Sequence, residues 1–316
     1  MVANDQDLMV AVAIDYYEHE QSQQSIAEKY QISRMTVSNL LKRCREEGIV
    51  DIRVNKKPSL AFALQSELQS RLKMERISVC TSDSEVAHTR ITVGRAAADI
   101  LKAELRDHLK IGISYGTTLF ETVRQFSVSK HYTNVEVVQL LGALGSRDSL
   151  KDGSELARTL SNKLDASCRF IQAPLVVQTL KLKEMLLKEP QIAEAFALAR
   201  TSGVAVLGIS SNRPEISGIV RAGFLSADES AALYDEGAVG NVCGIHFDVE
   251  GTVLPIPLND RTISISPDDL RAIPVRIGVA FGTCKANAIL GAIHAGFVNK
   301  LVTDTDAAMR IISDLS

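Results

Sequence analysis

From Ile77 to the end, short apolar runs alternate with stretches of helical period: Ile77–Cys80, Lys110–Ser114, Val135–Leu141, Cys168–Ile171, Val204–Ile209, Val275–Ala280 and Lys300–Val302. Runs of this length that are apolar on consecutive positions fit strands buried on both faces. The architecture they permit is a parallel sheet with helices on both sides, and ligands in such sheets sit at the carboxyl ends of strands. At 316 residues the chain is long enough for this domain and a smaller second one. A composition of 46% hydrophobic and 23% charged residues excludes a disordered or fibrous chain. No apolar run approaches the roughly 18 residues that span a bilayer. Met1–Asp7 lacks the basic flank and apolar core of a secretion signal, so a cytoplasmic location is expected.

Cys44, Cys80, Cys168, Cys243 and Cys284 are scattered without a CxxC pair, and the six His are dispersed. Neither a disulfide framework, a metal site nor a cofactor is expected. The net charge of −3 excludes a wholly basic nucleic-acid coat. Locally the balance reverses: Lys29, Arg34, Lys42, Arg43 and Arg45 fall in one stretch without Asp or Glu. A charge run alone is most often a solvated helix face, so a geometric companion is needed before it points to DNA.

The flanking pattern supplies one. Leu8, Val12 and Tyr16 recur at helical spacing over Asp7–Tyr17, a short second helix fits Gln24–Tyr30, and Gln31-Ile32-Ser33 forms a turn. Ser33 is placed to cap a third helix, Arg34–Glu47, which Gly48 ends. Within it Val37, Leu40, Leu41 and Cys44 fall on one side, leaving Arg34, Thr36, Ser38, Asn39, Lys42 and Arg43 outside. Arg grips guanine edges, Asn pairs with adenine, Thr and Ser reach bases or phosphates, and the later cations meet the backbone. Ser25 of the second helix completes the candidate DNA-binding set. This is the helix-turn-helix layout, and the alternation of Ile49–Val54 adds a wing strand.

Leu60, Leu64, Leu68 and Leu72 then make an amphipathic helix between the two parts. It fits a helix docked on its own domain or a dimer contact. The habit of duplex readers to bind paired half-sites tips the balance to the second. The expected domains are 1–57, a connector at 58–76, and an α/β sheet domain at 77–316.

Three junctions in the sheet domain have binding character. Ser114-Tyr115-Gly116-Thr117-Thr118 offers a glycine turn, hydroxyls and free helix N–H groups, all suited to a phosphate. Gly-Thr-Thr also occurs as a purely structural cap. Gly282-Thr283-Cys284-Lys285 adds a cation in a helix first turn, where the helix dipole disfavours it and a bound anion would explain it. Its spacing is not that of a Walker A loop. Gly240-Asn241 offers an amide to a sugar hydroxyl, or is simply a glycine-rich turn. His246 and Asp248 nearby receive no role.

QSQQSIAEKYQISRMTVSNLLKRCREEGIVDIRV resembles the amino-terminal domain of the SorC family of sugar-responsive bacterial transcriptional regulators, which includes the DeoR type. The three junctions, with Val138-Gln139-Leu140-Leu141-Gly142-Ala143-Leu144-Gly145, resemble that family's effector domain, and the likeness extends over almost the whole chain. The resemblance implies a winged helix-turn-helix domain joined to an α/β domain related to phosphosugar isomerases and deaminases. That domain binds a sugar, often phosphorylated, without turning it over. Gly116, Thr117, Thr118 and Lys285 would lie near a phosphate and Asn241 near hydroxyls, with Ser114, Gln139, Gly142 and Gly282 completing the effector-binding set. Operator DNA, a sugar or sugar phosphate, and further copies of the chain, as a dimer or a homotetramer of dimers, are the implied partners. Asn39 stands where the family often has Arg, Asn241 where it has Asp or Glu, and Phe281 where it often has Gly. The alternative is a phosphosugar isomerase or deaminase carrying a nucleic-acid module, which would require a placed acid and base.

Overall fold

The computed structural model describes residues 5–50, 59–145 and 152–315. The chain divides into two compact units, Met1–Lys57 and Pro58–Ser316.

In the first unit three helices pack together: α1 (Asp5–Tyr17), α2 (Gln23–Tyr30) and α3 (Arg34–Glu46). Ser22 and Ser33 cap α2 and α3, their hydroxyls accepting from the amides of Ser25 at 3.1 Å and Thr36 at 3.0 Å. Met9, Val12 and Ala13 of α1 are buried with Ile26, Ala27, Val37, Leu40, Leu41 and Cys44. The wing strand expected at Ile49–Val54 lies largely outside the described residues; Ile49 and Val50 pack partly buried on this cluster.

One buried carboxylate ties α1 to α2. Asp15 is only 3% exposed and accepts from Lys29 Nζ at 2.8 Å and Tyr30 Oη at 2.8 Å. The Lys29 hydrogen bond, then that of Tyr30, lowers its pKa to about 2. A carboxyl lowered on folding stabilises the native state above its ordinary pKa, and loses that contribution as pH falls toward about 2. Asp15→Ala is therefore expected to cost roughly 2 kcal/mol at neutral pH. Amide hydrogen exchange of α1 and α2 checks this: the difference from wild type should shrink below about pH 4.

The second unit opens with α4 (Leu60–Leu72), followed by β1 (Arg76–Cys80), α5 (Val86–Glu104), β2 (Lys110–Ile113), α6 (Thr117–Gln125) and β3 (Glu136–Gln139). The chain continues through α7 (Gly153–Leu164), β4 (Ser167–Arg169), α8 (Leu180–Lys188), α9 (Pro190–Ala199) and β5 (Val204–Ser211). Next come α10 (Gly218–Arg221), α11 (Ala227–Asp235), β6 (Gly240–Val242), β7 (Ile245–Phe247), α12 (Pro257–Arg261) and α13 (Pro267–Ala272). Last are β8 (Val275–Val279), α14 (Ala286–His294), β9 (Lys300–Asp304) and α15 (Thr305–Asp314).

The sheet runs β1-β9-β8-β5-β2-β3-β4 with every neighbour parallel; β6 and β7 form an antiparallel hairpin on the end of β5. Side chains alternate between its faces: Val204 and Val206 join α5, α6 and α7, whereas Ala205, Leu207 and Ile209 join α4, α9, α14 and α15. The glycine-rich turn expected here falls at Cys243-Gly244, both at positive φ, which join β6 to β7. Gly240 instead serves a close approach, letting the backbone of β6 pass near Ser210 and Ala288, where a Cβ would come within 2.5 Å of both. The inward leucines of the connector belong to this unit: Leu64 and Leu68 are buried in its core, leaving Leu60 58% exposed. The dimer-contact expectation is corrected for those two positions, since their side chains pack on their own domain. Gln65 Oε1 also accepts from Val79 N at 3.3 Å, satisfying an amide of the edge strand β1.

Candidate functional site

Strand order reverses between β2 and β5: β3 and β4 extend to one side of β2, and β8 and β9 to the other side of β5. That switch point is where a doubly wound sheet opens a crevice. A cavity of about 730 Å³ lies there, lined by Tyr115, Gly116, Thr117, Thr118 and Leu119 after β2, and by Gly208, Ile209 and Ser210 of β5. Leu144, Gly145, Gly218, Arg221, Ala222, Gly223, Val279 and Lys285 complete the lining.

The walls follow from local sequence. Gly116 has φ +131°, a value that L side chains rarely adopt, and so turns the chain from β2 directly into α6. The amides of the first turn of α6 have no intrahelical acceptors and carry the positive end of the helix dipole. Gly208 brings β5 against this turn, since a Cβ there would stand 2.5 Å from Tyr115 O. Ser114 Oγ fixes the same approach by accepting from Gly208 N at 2.9 Å. On another wall Gly282, at φ +91°, donates its amide to Asp304 Oδ1 at 2.9 Å and leads into the 3₁₀ turn Thr283–Lys285. Lys285 Nζ then donates to Ile209 O at 2.7 Å. Burial pushes its ammonium down to about 8, with Arg221 and Arg90 adding repulsion. Arg221, anchored by donating to Ile216 O at 3.0 Å, is the second cation of the lining.

Of the expected effector-binding residues, the cavity brings together Gly116, Thr117, Thr118 and Lys285. Ser114, Gln139, Gly142, Asn241 and Gly282 stand outside its lining for identifiable reasons. Ser114 and Gly282 hold the walls as described. Gln139 is fully buried and its Oε1 accepts from Ile171 N at 3.2 Å, tying the end of β3 to the chain beyond β4. Gly142 marks a backbone crossing, where a Cβ would lie 2.5 Å from Pro174 O. Asn241 is buried behind Tyr115: its Oδ1 accepts from the Tyr115 hydroxyl at 3.5 Å and its Nδ2 donates to Asn212 Oδ1 at 3.1 Å. Asn212 in turn faces His246 Nδ1 at 2.9 Å, and burial lowers that imidazole to about 4, keeping it neutral. Sequence reasoning missed Ser210 and Arg221. Ser210 follows the same strand-end rule that found the other junctions; Arg221 lies beyond the strand-end positions that the rule searches.

In the first unit Arg34, Thr36, Ser38, Asn39, Lys42 and Arg43 are all exposed on α3, as is Ser25 on α2. The Thr36 hydroxyl is engaged with Ser33 Oγ at 2.8 Å, Lys42 pairs with Glu46 at 3.7 Å, and Arg43 with Glu47 at 3.0 Å. Such exposed pairs are weak enough to be exchanged for phosphates. Two cations of the basic stretch turn inward to their own domain, Lys29 to Asp15 and Arg45 to the Tyr17 hydroxyl at 2.9 Å.

A family model described as "Putative sugar-binding domain" matches residues 56–313, and one for sigma-70 region 4 matches residues 11–47. The deoxyribonucleoside regulator of Bacillus subtilis (strain 168) is 30% identical over 311 residues, 98% of each chain. The transcriptional regulator LsrR of Enterobacter sp. (strain 638) is 27% identical over 317 residues, 99% of this chain and 95% of the other. Among solved structures, the full-length sorbitol operon regulator SorC from Klebsiella pneumoniae matches with a TM-score of 0.75 and 26% identity, over 98% of this chain and 99% of that one. A transcriptional regulator from Streptococcus pneumoniae TIGR4 matches at 0.74 and 25% identity, over 80% and 97%. With a parallel sheet whose switch-point cavity carries a lysine, and a helix-turn-helix unit before it, the chain belongs to the SorC family of sugar-binding bacterial transcriptional regulators.

Proposed function

We propose that the chain is a cytoplasmic regulator of a carbohydrate-utilisation operon, which reads operator DNA through α3 and holds a sugar phosphate in the switch-point cavity. One observation carries the effector reading: Lys285 lines the same cavity as Thr117 and Thr118. A partly buried ammonium that shares a cavity with free helix amides is stabilised by an anion bound there. The polar lining consists of cations, hydroxyls and amides, equipment for holding an anion, and the reading therefore assigns the domain to binding, without turnover. Asn241 acts on effector hydroxyls through Tyr115, which lines the cavity and donates its hydroxyl to Asn241 Oδ1. Paired half-sites require at least a symmetric dimer, and a homotetramer built from dimers is the assembly that the family suggests.

Effector binding shifts the balance among subunit arrangements and so the spacing at which the α3 helices meet DNA. The coupling is reciprocal, so operator DNA changes effector affinity by the same factor as effector changes DNA affinity. Thermal unfolding against a panel of sugars, polyols and their phosphates tests the reading. A phosphorylated sugar at a hundred times its Kd should stabilise the native state by about 2.7 kcal/mol. Turnover of a panel member at an enzymatic rate would overturn it in favour of the isomerase alternative, as would the absence of any shift for the effector half.

A further inference from the structure

The outer face of α3 holds one side chain that neither the fold nor the basic surface explains. Met35 is 75% exposed, the most exposed large apolar side chain among the described residues. It lies in the first turn of the helix, two residues after the Ser33 cap. Ser38 and Asn39 lie three and four residues after Met35, and Lys42 lies four and three residues after them, so the four form a single stripe. That stripe runs along the side of α3 opposite the buried Val37, Leu40, Leu41 and Cys44. Met35 therefore stands near the centre of the surface that a groove would receive, at the end from which a recognition helix contacts base edges.

We propose that Met35 reads the 5-methyl group of a thymine in the operator. The inference rests on the DNA-reading role of α3 proposed above. The thymine methyl is the apolar feature of the major-groove edge, and a long unbranched thioether reaches it without a hydrogen-bond partner of its own. The neighbour on the stripe agrees: Asn39 is the residue type that pairs with adenine N6 and N7. Together the two side chains select an A·T-containing step, the one with its amide on adenine and the other with its methyl-thioether on a thymine of the same or an adjacent pair.

The test uses the full chain and a duplex obtained by selection from random sequence, with each thymine of the half-site replaced in turn by uracil, which lacks only the methyl. One position should weaken wild-type binding about fourfold, the effect of one buried methyl-sized group. Met35→Ala should bind the thymine duplex more weakly and be indifferent to uracil at that position, because the two deletions remove one contact. Met35 is exposed, so its removal leaves the fold intact, which circular dichroism checks. A wild-type uracil series that is flat at every position overturns the proposal, as do losses in the uracil and Met35→Ala experiments that simply multiply. Weakened association between subunits in Met35→Ala, with a flat uracil series, assigns the side chain to a contact between copies instead. A selection that enriches no duplex overturns the proposal together with the DNA-reading role on which it rests.

Discussion

Lys285→Ala removes stabilisation by a phosphorylated effector while duplex affinity stays within about twofold, and Arg34→Ala does the reverse. For Lys285 the expected loss in effector affinity is between about tenfold and 150-fold, the range of one charge-assisted hydrogen bond of roughly 1.5 to 3 kcal/mol. The lysine reaches the cavity from the turn held by Gly282 and Asp304, and its ammonium donates to Ile209 O. Lys285→Met keeps the apolar stem and should lose effector binding as fully as Lys285→Ala, which separates charge from packing. Because burial lowers the ammonium to about 8, effector affinity of the wild type should fall as pH rises past that value. In Lys285→Met that limb of the titration is absent. Arg34 is exposed at the start of α3, and a base contact by such a residue contributes about 1 to 3 kcal/mol, or 5- to 150-fold in operator affinity. The checks are calorimetric titration with the effector and fluorescence anisotropy with the duplex. Equal losses in both assays for either variant would mean a damaged fold and defeat the division of labour.

Gly142→Ala should lower the melting temperature sharply and leave the effector affinity of the surviving folded protein unchanged. The added Cβ would meet Pro174 O at 2.5 Å and Ala173 O at 2.8 Å, backbone atoms that have no rotamer to change. The crossing is further pinned by Gly142 N donating to Ile263 O at 2.9 Å and Ala143 N to Ala173 O at 2.8 Å. Overpacking of this kind costs about 1 to 3 kcal/mol, and more where the clash is with main chain. A Gly142→Ala protein of wild-type melting temperature that no longer binds the effector would restore this glycine to the binding set. Thermal unfolding with and without ligand decides between them.

The central strands were legible because β2 and β5 are buried on both faces, so their apolar runs carry few polar residues to confuse them with a helix. The hairpin of β6 and β7 was legible only in its turn at Gly244, because its strands are three residues long, too short to show a period. The helix-turn-helix could be read from its caps and its two faces. What the one-dimensional charge count could not show is direction: Lys29 lies in the basic stretch yet points its ammonium at Asp15. For the cavity, residues adjacent in sequence to a strand end were found, as with Thr117 and Thr118. Those brought in by a separate segment were lost, as with Arg221, because no local pattern marks a side chain whose role depends on where a loop returns. Asn241 shows the opposite failure. Its chemistry suited a hydroxyl, but its Oδ1 is taken by the Tyr115 hydroxyl, and only the pairing of β6 with the end of β5 reveals that.

The reversal of strand order at β2 and β5 has a mechanical consequence. It divides the sheet into two leaves, one carrying β2, β3 and β4 and the other β5, β8, β9 and β1. A molecule gripped at Thr117 and at Lys285 is a rivet through both leaves, resisting their sliding past each other. The leaf that ends in β1 is also the one against which α4 is seated, through Leu64, Leu68 and the Gln65 bond to Val79. Whatever displacement the rivet permits or forbids is thus delivered to the helix from which the rest of the polypeptide departs.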